Sequence, residues 1–168
     1  MGQGADVRGR QTPVGIFLSD ATDLRELYQE VILDHNRRPR NYGPLEGAEH
    51  HAEGHNPLCG DRVRVFLHTV GDRIADIHFE GNGCAISRAS ASLMTEAVKG
   101  RTTAEVDDLF TRFQAMVKGE LDENGEEGLG KLAVLAGVRA FPVRVKCASL
   151  AWHTLKAAMA EGGVVATE

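Results

Sequence analysis

Two alternating runs, residues 62–70 (RVRVFLHTV) and 73–81 (RIADIHFEG), stand two residues apart, and they limit the fold more than any other feature of the chain. Val63, Val65 and Leu67 alternate with Arg62, Arg64 and His68; Ala75, Ile77 and Phe79 alternate with Asp76, His78 and Glu80. Period-two patterning with Gly71-Asp72 between the runs predicts an antiparallel hairpin with one face on a core and one in water. A third short strand is expected somewhere in 41–60, where the pattern is too weak to place it.

The rest of the chain is helical in pattern. Residues 23–41 (DLRELYQEVILDHNRRPRN) open with Asp23 and Glu26 in capping-box spacing and carry Leu24, Leu27, Tyr28, Val31 and Ile32 on one face. Arg37 and Arg38 then sit at the end that favours cations, and Pro39 stops the helix. Residues 81–101 begin with a glycine-rich turn and become a helix of small residues ending at Gly100. Thr102 and Glu105 open another helix whose core face is Val106, Leu109, Phe110, Phe113 and Val117. Residues 129–141 predict a short helix broken near Gly137, with Pro142 preventing its continuation, and the last helix is expected to start at Cys147. Trp152 is expected in the core. Strands followed by helices indicate an α+β fold: a small antiparallel three-stranded sheet with helices packed mainly on one face.

The 168 residues fit one domain with a core of its own. We delimit a flexible N-terminal extension at 1–20, a single domain at 21–162 and a tail at 163–168. A net charge of −5 argues against nucleic-acid binding, and no apolar run approaches the roughly 20 residues of a membrane helix. The first residues lack the apolar core of a signal peptide, so a cytoplasmic location is expected. Three cysteines, an odd number, also suit a reducing compartment.

The cysteines carry the chemistry. Cys59 lies in a turn (HNPLCGD) two residues before Asp61, Cys84 follows a glycine-rich turn (GNGC), and Cys147 stands in RVKC. Cys84 and Cys147 are read as helix starts, where exposed N–H groups stabilise a thiolate. A buried structural cysteine belongs in the middle of an element, and none of the three is placed there. The long spacings are not those of a zinc ribbon or finger, so the side chains have to converge through the fold. If they do, three thiolates and the Asp61 carboxylate form a set that tetrahedral zinc accepts, and iron–sulfur clusters accept thiolates too. Asp61 is also explicable as an ordinary turn residue. His50, His51 and His55 are read as part of a solvated polar loop, His35 and His153 as structural, and the acidic stretch 120–127 as a solvated loop.

Four stretches resemble the IscU/NifU N-terminal family of iron–sulfur scaffold and sulfur-carrier proteins: LYQEVILDHNRRPRNYG (27–43), NPLCGD (56–61), GNGCAISRASASLM (81–94) and RVKCASLAW (144–152). The similarity is greatest to the SufU-like branch. Where the scaffold branch has His before the last cysteine, this chain has Lys146, and residues 119–138 fit an insertion typical of SufU-like proteins.

The resemblance implies a zinc site at Cys59, Asp61, Cys84 and Cys147, and sulfur transfer from a PLP-dependent cysteine desulfurase toward a downstream iron–sulfur scaffold. Cys59, in a loop bounded by Pro57 and Gly60, is the expected sulfur acceptor. The alternative the resemblance implies is a scaffold that builds a [2Fe–2S] cluster on the same residues. Arg144 and Lys146 are candidates for contact with the site or with a partner. No open-position zinc motif such as HExxH accompanies the cysteines, which argues against a hydrolase.

Overall fold

The computed structural model describes residues 20–121, 128–160 and 163–166. Contacts divide the chain into two units, Met1–Val31 and Ile32–Glu168. The described part of the first is helical and belongs to α1 (Asp20–Arg37), which starts three residues before the expected Asp23. The expected extension at 1–20 lies outside the described residues except for Asp20. Everything below concerns the second unit.

Its sheet is built from β1 (His50–Asn56), β2 (Asp61–Val70) and β3 (Arg73–Asn82), joined antiparallel. The predicted hairpin is β2–β3, turned at Gly71, whose φ of +63° suits a residue without a Cβ. Val63, Val65, Leu67, Ile77 and Phe79 face the core as expected, but Ala75 does not. The register slips between His68 and Thr69, so that His68 pairs with Asp76 and Thr69 with Ile74. Ala75 is the extra residue of this irregularity, and Ile74 takes the buried position.

The third strand expected within 41–60 is β1, and it contains His50, His51 and His55, residues expected in a solvated loop. Ala52, Gly54 and Asn56 turn inward, while His51, Glu53 and His55 lie on the other face. Its apolar signal is weak because only Ala52 among the inward residues is hydrophobic. A short β4 (Gly163–Ala166) pairs parallel with β1, giving the order β3-β2-β1-β4. The stretch expected to be a tail thus adds a fourth, parallel strand to the three antiparallel ones.

The helices are α2 (Ala85–Val98), α3 (Thr103–Val117), a run of 3-10 turns over Gly130–Ala140, and α4 (Pro142–Ala160). Thr102 and Glu105 form the predicted capping box of α3. Two expectations fail together at the C-terminal end. The segment expected to break near Gly137 runs through it as 3-10 turns, and Pro142 opens α4 rather than only ending what precedes it. Proline fits the first helical turn because the N–H it lacks has no partner there.

α4 packs on β1 and β2, and α2 packs on α4 and β3. α2 and α4 meet at small residues, where Ser90 Oγ donates to the carbonyl of Ala148 at 2.6 Å. At Gly54 the approach of α4 to β1 is so close that a Cβ would overlap Thr154 Oγ1. Trp152 is fully buried as expected, stacked on Phe113 and Phe110 with ring centroids at 4.7 and 5.9 Å.

His35 is structural, as expected. Ser92 Oγ accepts the Arg40 N–H at 2.8 Å and lies 2.7 Å from His35 Nδ1. The other ring nitrogen, Nε2, lies 3.6 Å from Glu96. This Ser–His–Glu line is no nucleophile: Ser92 and His35 are buried. His153, placed well inside α4, packs edge-on against Phe110.

Candidate functional site

The turn joining β1 to β2 is Pro57-Leu58-Cys59-Gly60, and its fold follows from local sequence. Asn56 Oδ1 accepts the N–H of Leu58 at 3.0 Å, an Asx turn, and the Asn56 carbonyl accepts the N–H of Gly60 at 2.8 Å. Gly60, at φ +74°, closes the turn. Cys59 is thus an exposed residue at a hairpin tip, with Leu58 beside it 63 % exposed.

Asp61 begins β2 and points inward, 1 % exposed. Its Oδ1 accepts the N–H of Cys84 at 3.0 Å, and its Oδ2 lies 3.8 Å from the Cys84 sulfur. Cys84 is the N-cap of α2, where the sequence placed it, and its side chain makes no capping bond. Gly83 allows the approach, since a Cβ there would sit 2.8 Å from Asp61 Oδ1.

Cys147 corrects an expectation. It is the sixth residue of α4 rather than its start, and it is buried, which is the setting expected of a structural cysteine. It is nonetheless part of the site. Its Sγ lies 3.6 Å from that of Cys59, and donor atoms of Cys59, Asp61 and Cys147 all fall within 4.8 Å of one another. A cysteine can therefore be in mid-helix and still face a site, because its Sγ meets that of Cys59 at the hairpin tip.

The fold thus brings together the three cysteines and Asp61. Cys59, Asp61 and Cys147 form the tight group, and Cys84 joins through Asp61. Burial first, and then Asp61, Cys59 and Cys84, push the Cys147 thiol well above its ordinary pKa. A cation bound beside the buried Cys147 sulfur would offset the effect of that burial. The donors fit zinc: their chemistry is the soft, mostly sulfur set of closed tetrahedral sites.

Arg144 and Lys146 are not part of the group. Arg144 is exposed in the first turn of α4, and Lys146 is half-buried beside Cys147. His50, His51 and His55 lie on β1, and none belongs to the metal-competent group among the described residues. Sequence reasoning missed Asn56, which is fully buried, holds the turn and aims its Nδ2 at the Cys59 sulfur from 3.6 Å. The signal was Asn before Pro, a common way to start a turn.

The model of the NifU-like N terminal domain matches residues 27–161. The chain is 42% identical over 149 residues to the zinc-dependent sulfurtransferase SufU of Bacillus subtilis, covering 87% of this chain and 99% of the relative. It is 43% identical over 136 residues to the iron-sulfur cluster assembly scaffold protein IscU of Streptococcus pyogenes, covering 81% and 84%. Among solved structures it resembles a chain from Fervidobacterium islandicum described as a scaffold for the SUF system. There the TM-score is 0.72 at 38% identity, covering 80% of this chain and 98% of that one.

Proposed function

Because this chain belongs to the NifU-like N-terminal domain family, we propose that it is a zinc-dependent sulfur carrier of iron–sulfur cluster assembly. It accepts persulfide sulfur from a PLP-dependent cysteine desulfurase and passes it toward a downstream iron–sulfur scaffold. The observation that carries this reading is the position of Cys59: exposed at a hairpin tip, with Cys147 and Asp61 directly behind it.

Cys59, Asp61, Cys84 and Cys147 would hold the zinc. Bound there, zinc supplies the charge that keeps cysteine sulfurs deprotonated at neutral pH, and it does not itself change oxidation state. The chain's own residues do the rest. Cys59, as thiolate, attacks the terminal sulfur of the desulfurase Cys–S–SH. The S–S bond there breaks, the desulfurase cysteine leaves as thiolate, and Cys59 becomes Cys–S–SH with no net oxidation. Asn56 positions the turn, and its amide N–H points at the sulfur that changes partner. Leu58 and Arg144, both exposed, are available to a docking partner. This chemistry suits the reducing cytoplasm, where cysteines stay free.

In the Cys59→Ser variant, desulfurase stimulation and persulfide loading, read by mass spectrometry, should both be lost. The fold should stay within about 0.5 kcal/mol of the parent, because the site of change is exposed. Full loading of the variant would exclude Cys59 as acceptor. A second reading, assembly and transfer of a [2Fe–2S] cluster on the same residues, is favoured by the relative named as a scaffold. Anaerobic reconstitution separates the two, since a stable, transferable cluster supports the scaffold.

A further inference from the structure

Cys59 and Cys147 face each other at 3.6 Å, yet one is exposed and the other buried. From this juxtaposition we propose that Cys147 is a resolving thiol: in the metal-free chain it discharges a persulfide on Cys59 as sulfide and leaves a Cys59–Cys147 disulfide. This rests on the reading of Cys59 as a sulfur acceptor and adds a way for the sulfur to leave in reduced form.

Geometry sets the direction of attack. A sulfur added to Cys59 arrives from solvent, whereas Cys147 lies behind, against the Cys59 Sγ itself. The separation of 3.6 Å is close to the 3–3.5 Å of atoms poised to react. A disulfide needs about 2.05 Å, so the partners must close further. Cys147 is fixed inside α4, but Cys59 is on a four-residue turn with Gly60 following it, and the turn can supply the movement. Cys84 is differently placed: its sulfur lies 3.8 Å from Asp61, and it stands outside the close donor group of Cys59, Asp61 and Cys147.

The step balances without an outside reductant. The Cys147 sulfur attacks Cys59 Sγ, the Cys59 Sγ–Cys147 Sγ bond forms, and the bond to the outer sulfur breaks. That sulfur leaves as hydrosulfide, reduced by two electrons, while the two cysteines are oxidised to the disulfide. The Cys147 proton goes to solvent, and the departing sulfur keeps its own. A dithiol reductant then restores the thiols. A metal ion held by the same residues competes for both sulfurs, so the reaction belongs to the metal-free chain.

The test strips the full-length chain of metal with a chelator, loads it with a low-molecular-weight persulfide, and follows sulfide release and peptide masses under anaerobic conditions. The expected result is one sulfide per disulfide, with Cys59 linked to Cys147. In Cys147→Ser and Cys147→Ala the persulfide should persist on Cys59 and sulfide release should fall by at least about tenfold. Mapping the unaltered chain needs no variant, so misfolding of either substitution leaves the proposal open to refutation. A Cys59–Cys84 disulfide, a persulfide that stays intact in the parent, or undiminished release from a folded Cys147 variant would each overturn it. Loading by the small persulfide but not by a desulfurase would instead refute only the sulfur-carrier reading.

Discussion

Asp61 Oδ1 accepts the backbone N–H of Cys84 at 3.0 Å and thereby ties the first residue of β2 to the residue that caps α2. The carboxylate has two tasks at once. One oxygen fixes the backbone that presents Cys84, and the other faces the Cys84 sulfur. The two tasks can be separated by substitution.

Asp61→Asn keeps an oxygen able to accept the Cys84 N–H but removes the negative charge. Its stability should stay near that of the parent while zinc affinity falls by roughly tenfold or more, measured by competition with a chromogenic chelator. Asp61→Ala removes the acceptor as well, and the metal-free chain should lose a further 1–3 kcal/mol, roughly, in denaturant unfolding. Unchanged zinc affinity in Asp61→Asn would show that the carboxylate is not a ligand.

Gly54→Ala tests the packing that holds Cys147 in place. The added Cβ overlaps Thr154 Oγ1 and presses on Leu150, so α4 must shift from β1. Destabilisation of about 1–3 kcal/mol is expected. Because Cys147 rides on the same helix, metal affinity should fall too, although residue 54 is no ligand. A variant with a lower Tm and undiminished affinity would refute the coupling.

Acid should weaken the fold through two histidines, the buried His35 and the half-buried His153. Burial, the largest cause for each, lowers the pKa of His35 and His153 below the usual 6.5. Between the native values and 6.5 the unfolded chain holds more protons than the native one, so their contribution to stability falls as pH drops through that window and is intact above it. Thermal unfolding followed by Trp152 fluorescence from pH 7.5 to 5 should show this, with a shallower pH slope in His35→Gln. His68 is shifted upward by Glu49 and acts in the opposite sense, but it does so equally in both proteins, so the difference isolates His35. Parallel slopes would remove His35 from the account.

Much of the fold was written locally. The β2–β3 hairpin, the capping box of α3 and the core position of Trp152 depend on patterns within a few residues, and each appears in the structure. The motif around Cys59 likewise carries its own turn, in Asn56, Pro57 and Gly60. What could not be read this way depends on neighbours distant in sequence. β1 is a strand because β2 pairs with it and α4 covers Gly54, although its histidines and glycine look like loop. Ala75 is displaced from the core by a register slip that no alternation foretells. Cys147 was misplaced at a helix start because Pro142 was taken only as a stop, when it was also a beginning.

The sequence by itself determined which residues could bind a metal or carry sulfur, because that is chemistry of side-chain type. Only the tertiary structure decided that Cys59 is outermost, that Cys147 lies buried at its back and that Asp61 bridges toward Cys84. Those relations are set by the packing of α4 on β1 and β2 and of α2 on α4. Distances between groups far apart along a chain are fixed by the elements that carry them, not by the residues between.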